Sequence, residues 1–130
     1  MENTKASEVV DSFESSFSDK RVIPESLERV WLAKAIGRYS AELTPLNFDD
    51  VTQEFDSKLD RYVVDTLAEF MKEMYQERQL SLINKRISIV SKDLSWDGSN
   101  GAKTAAKAEL EAIQAKIRKM VDNQKTTAYT

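Results

Sequence analysis

Two prolines and three glycines are the only strong backbone punctuation in 130 residues. A sandwich or barrel of short strands needs a turn signal roughly every 8–12 residues, and this chain lacks them. Its 41% of hydrophobic residues is too much for a wholly disordered chain. The length suits one core, not two. The predicted class is all-α: a three-helix core with one long helix, an extended linker segment, and mobile N- and C-terminal tails. The expected divisions are a flexible acidic arm over 1–20, a helical domain over 21–124 and a C-terminal tail over 125–130.

The first helix is predicted from Pro24, whose fixed φ suits a first turn, to the stop imposed by Pro45. Leu27, Trp31, Ala35, Tyr39 and Leu43 recur every four residues, with Val30, Leu32 and Ile36 widening the stripe. Residues 44–53 read as a connector in which Asn47, Asp49, Asp50 and Thr52 supply turn and capping oxygens. The longest helix is expected from about Gln53 into the mid-80s. Phe55, Leu59, Tyr62, Val63, Leu67, Phe70, Met71 and Met74 carry its stripe. That is more helix than a small three-helix domain needs, and a projecting end would meet another subunit. A last helix is predicted from Ala102 to Asn123, on Ala106, Leu110, Ile113, Ile117, Met120 and Val121.

Three stretches fall outside these helices. Residues 1–20 alternate serines with acids, and Val10, Phe13 and Phe17 offer one short helical face, so this arm is expected to order only against a partner. Residues 84–96 permit two readings, since Ile83, Ile87 and Val90 keep helical spacing while Ile87 and Ile89 alternate as in a strand. The reading adopted is helix to Ile87, then an extended piece through Trp96 that completes a sheet with a neighbour. Asp97-Gly98-Ser99-Asn100-Gly101 reads as a turn, and the residues after Asn123 as a free polar tail.

The missing residue types narrow the chemistry. Without cysteine there are no thiolate nucleophiles, cysteinyl zinc sites or iron–sulfur clusters; without histidine the commonest general base is gone. No glycine-rich phosphate loop or serine–lysine pair is present. The chain reads as a non-enzyme with no cofactor. No run of roughly 18 apolar residues suggests a membrane span, and the first residues resemble no signal peptide. A soluble protein made in cytoplasm, with no membrane partner, is expected.

Charge is unevenly divided. Residues 1–70 hold 15 acids and 8 bases, and residues 71–130 hold 7 acids and 11 bases. The asymmetry has two readings: ordinary solvated faces, or copies stacked with the acidic part of one beside the basic part of the next. Lys85, Arg86 and Lys92, and further on Lys116, Arg118, Lys119 and Lys125, permit local contact with a phosphate backbone despite the net charge of −3.

The order of elements resembles the small helical head–tail connector (neck or adaptor) proteins of tailed bacteriophages. The resemblance lies in Val30-Trp31-Leu32-Ala33-Lys34-Ala35-Ile36-Gly37-Arg38-Tyr39, in Glu73-Met74-Tyr75-Gln76-Glu77-Arg78 closing the long helix, and in Lys92-Asp93-Leu94-Ser95 before a glycine-bearing turn. An Ala/Lys/Glu helix closing at Asn123-Gln124-Lys125 completes it, so that roughly residues 25–125 are covered. It implies a structural virion protein, assembled in host cytoplasm as a homo-oligomeric ring, commonly of twelve copies. Such a ring sits in the neck, joins the portal protein to the next neck or tail protein, and extends the DNA channel, with non-specific DNA contact possible there. It also implies that Thr126, Thr127, Ala128, Tyr129 and Thr130 meet the portal, and that Lys92, Asp93 and Leu94 join subunits. Trp96 either caps the core or anchors a neighbour. Trp96→Ala separates these: a collapsed melting transition marks a core residue, and a folded chain that no longer assembles marks an interface. The alternative function is a small helical regulatory or DNA-binding protein.

Overall fold

The computed structural model describes residues 2–16, 23–90 and 98–128, and the side chains of all of these but 87–90, 98–100 and 126–128. In chain order these contain helix α1 (Ala6–Glu14), helix α2 (Glu25–Glu42), strands β1 (Phe48–Asp49) and β2 (Glu54–Phe55), helix α3 (Arg61–Val90) and helix α4 (Gly98–Ala128). Helices dominate, in line with the all-α expectation. The two short strands pair antiparallel, Phe48 opposite Phe55 and Asp49 opposite Glu54.

The N-terminal segment corrects the expectation of a separate arm. The Thr4 carbonyl accepts the Phe55 N–H at 2.9 Å, Ala6 donates its N–H to the Gln53 carbonyl at 2.9 Å, and the Thr4 hydroxyl accepts the Leu59 N–H at 2.8 Å. The Glu8 carboxylate accepts the Lys5 backbone N–H at 2.8 Å, covering one of the donors a helix start leaves open. α1 then buries Ala6, Val9 and Phe13 in the common core. The rings of Phe13, Trp31 and Tyr75, one from each of α1, α2 and α3, meet edge to face in a closed trio with centroids 6.1–6.2 Å apart. The partner that orders this segment is the chain's own helix pair.

α2 lies between its two prolines as predicted, with Trp31, Leu32, Ala35, Ile36 and Tyr39 buried. Val30, expected to widen the stripe, is instead 49% exposed. α3 starts eight residues later than the periodicity suggested. Gln53 holds φ at 57° in the turn between β1 and β2, a conformation no helix continues. Asp49 closes that turn by accepting the Val51 and Thr52 N–H groups. Those two bonds hold its carboxyl below the ordinary aspartate range. A depressed folded-state pKa contributes stability above the unfolded value and loses it as pH falls through the folded one. Asp49→Asn keeps the turn oxygen without the charge. It is expected to lower the urea midpoint slightly at neutral pH and to remove this residue's share of the fall below about pH 4, so that variant and wild type converge in acid.

The other end of α3 and the start of α4 also differ from expectation. α3 stays helical through Val90, so 88–90 are not extended, and α4 begins at Gly98. Gly98 and Gly101 therefore lie in the first turn of α4, and neither glycine has positive φ. α4 also runs through Ala128, so 125–128 continue the helix. Nothing from Asn123 to Ala128 breaks a helix, and Gln124 fastens this end to the core. Among the described residues no helix is long and apolar enough to cross a membrane.

Candidate assembly surfaces

α3 and α4 run antiparallel. Successive cross-links fall in opposite order along the two helices: Gln124 to Thr66, Lys116 to Glu69 at 3.4 Å, and the Gln76 amide to the Ala106 carbonyl at 3.1 Å. Near the C-terminal end of α4, Tyr39 donates its hydroxyl to Gln124 Oε1, and Gln124 donates its amide to Thr66 Oγ1 at 2.9 Å. Thr66 donates onward to the Tyr62 carbonyl at 2.8 Å, so α2, α3 and α4 share one chain of bonds. Gln124→Ala strands the hydroxyl of a buried tyrosine. It is expected to lower unfolding free energy by about 1–3 kcal/mol, measured by urea titration.

Further along the same pair, cover is lost. Val64, Leu67, Ala68, Phe70 and Met71 of α3 are buried against α1, α2 and α4, as are Ile113, Ile117 and Val121 of α4. From Glu77 to Arg86 no residue of α3 is buried, and from Gly101 to Ala105 none of α4 is. Leu80 and Ile83 are half-buried and Leu82 is 42% exposed. At the margin, burial and then the neighbouring Glu73 push the Glu77 carboxyl above its ordinary range. Arg38 clamps α2 to α3 there: its guanidinium meets Glu42 at 2.7 Å and Glu73 at 2.9 Å, and lies 4.3 Å above the Phe70 ring.

The outer helices carry one sign of charge. Arg78, Lys85 and Arg86 on α3, with Lys103 and Lys107 on α4, are all exposed. Among the described residues none of the five joins an ion pair, and residues 78–90 and 98–108 contain no acid. Helix dipoles do not account for these bases: none lies in the last turn of α3, and at the start of α4 a dipole favours acids. Proximity along the chain groups Lys85 and Arg86 with Lys92. Joining them to Lys103 and Lys107 required the antiparallel pairing, although the acid-free run was legible.

Of the expected interface residues, Lys92, Asp93, Leu94 and Trp96 lie outside the described residues, as do Tyr129 and Thr130. Thr126, Thr127 and Ala128 form the last turn of α4. A cleft of about 600 Å³ between the end of α2 and the start of α3 is walled by Tyr39, Leu43, Leu46, Tyr62 and Val63. Its Tyr39 hydroxyl is already committed to Gln124. Among the described residues no cluster of acids is placed to hold a metal ion.

No family model, no curated protein and no solved structure matches the chain. Geometry and sequence carry the functional reading.

Proposed function

We propose that the protein is a structural subunit of a tailed-phage neck, assembling as a ring that joins the portal to the next tail component and surrounds the DNA path. One observation carries the assembly part: on the outer portions of α3 and α4, over residues 77–86 and 101–105, the rest of the described chain buries no residue. Maintaining these weakly covered stretches of helix, 77–86 on α3 and 101–105 on α4, costs conformational entropy that a monomer does not recover. Subunit contacts offset that cost. The phage part rests on the resemblance over residues 25–125. The exposed bases on the outer helices suit a surface near a phosphate backbone.

Co-expression with the portal protein of the same genome, followed by native mass spectrometry, tests this reading. A ring of copies bound to portal is the expected result. A chain that stays monomeric beside portal and binds duplex DNA in a salt-sensitive way overturns it, in favour of a small helical DNA-binding or regulatory protein.

A further inference from the structure

The turn between β1 and β2 presents an unusual residue for a charged loop. Val51 is 91% exposed, the most exposed of the large apolar side chains among the described residues, and it follows Asp49 and Asp50 directly. The turn is held in place, since Asp49 accepts the N–H groups of Val51 and Thr52, and the Gln53 N–H donates to the Asp49 carbonyl at 2.8 Å. The result is a rigid apolar knob in an acidic collar.

A matching recess exists elsewhere on the same chain. A groove of about 180 Å³ lies between the start of α2 and the middle of α3, lined by Ile23, Leu27, Trp31, Tyr75, Arg78 and Leu82. An apolar cavity of about 150 Å³ accepts a benzene-sized group, so this one has room for a valine side chain. Its walls are mostly apolar, with Gln79 the polar exception, and its outer rim on α3 is basic: Arg78 lines it, and Lys85 and Arg86 follow about two turns on, with no acid from 78 to 90. On the α2 side, Glu25 is paired with Arg29 at 3.5 Å. Knob and recess pair apolar centre with apolar centre and acidic collar with basic rim, the anatomy of a specific interface.

The knob is kept from the groove of its own chain. Ala6 is bonded to Gln53 at one end of α1, and Phe13 meets Trp31 and Tyr75 at the other, so about 10 Å of helix stands between them. We infer that the β1–β2 turn of one copy, led by Val51, seats in the α2–α3 groove of a second copy, with Asp49 and Asp50 facing Arg78, Lys85 and Arg86. This joins two different surfaces, a heterologous contact that closes into a ring or extends as a filament. It rests on the ring reading by naming its subunit contact, yet stands or falls by a separate measurement.

Sedimentation velocity on the full chain, from about 20 mM to about 500 mM salt, reads the contact. Association at low salt that fades at high salt is expected. Val51→Ser, Asp50→Arg and Arg78→Glu alter exposed side chains and are expected to keep the wild-type circular dichroism and melting curve. Each is expected to weaken association at least about tenfold. Mixing Asp50→Arg with Arg78→Glu pairs each altered surface with its complement and is expected to restore it. A wild-type monomer at low salt overturns the contact, as do variants that associate like wild type or a mixture that fails to recover. Loss of duplex DNA binding by Arg78→Glu with self-association intact also overturns it, and marks this rim as a nucleic-acid surface. Portal-bound rings that persist in all three variants overturn this contact and leave the neck reading standing. Association that depends on Val51, without any ring on portal, does the reverse.

Discussion

Phe13→Ala is expected to lower the unfolding free energy by about 3–5 kcal/mol, a large share of what a domain of this size possesses. Phe13 has no exposed surface and forms two sides of the edge-to-face trio with Trp31 and Tyr75. Removing its ring leaves a cavity where three helices meet and loosens the hold of α1 on α2 and α3. The backbone bonds from Thr4 and Ala6 to the 53–59 segment keep the N-terminus nearby but cannot fill that space. Urea unfolding followed by circular dichroism gives the loss, with half-buried Val10→Ala as the comparison at about 1 kcal/mol. A loss for Phe13→Ala no greater than that for Val10→Ala would return α1 to the status of a peripheral arm.

The second large effect separates folding from assembly. Replacing residues 80–103 with a short Asn-Gly-containing turn removes the outer ends of α3 and α4 while keeping Gln76 and Ala106. None of the removed side chains the structure describes is buried, so unfolding free energy is expected to change by no more than about 1–2 kcal/mol. Assembly is expected to disappear, because Lys85, Arg86, Lys103 and the groove residue Leu82 go with the segment. A shortened chain that melts far below wild type would mean that these helices belong to the core. One that still forms rings would mean that they are dispensable to the assembly.

How far the sequence led depended on the kind of signal. α2 was legible because two prolines bracket it and a four-residue stripe runs between them. The central stripe of α3 was equally plain at Leu67, Phe70 and Met71, all buried. Its start was misplaced because the apolar period runs on through Phe55, while turn chemistry at Asp49 and Gln53 interrupts the helix there. α1 was misjudged for a different reason. Val10, Phe13 and Phe17 showed helical spacing, but the buried face is Ala6, Val9 and Phe13. A nine-residue helix among serines and acids cannot stand alone. It orders because α2 and α3 offer an apolar seat, a long-range fact that no local window contains. The knob at Val51 and the groove beside Leu82 were unreadable for the same reason, since each is defined by what the fold leaves uncovered.

The central claim is that the outer parts of α3 and α4 exist to be covered by other copies. Amide hydrogen exchange across residues 77–90 and 98–105, measured on the full chain under monomeric and associating conditions, tests it most directly. Open helices with few buried neighbours exchange by low-energy local opening, whereas residues 64–71 exchange near the global limit. The account predicts weak protection of the outer segments in the monomer and a rise of at least about tenfold on association, with the core unchanged. Protection of the outer segments that stays the same in both conditions would contradict it.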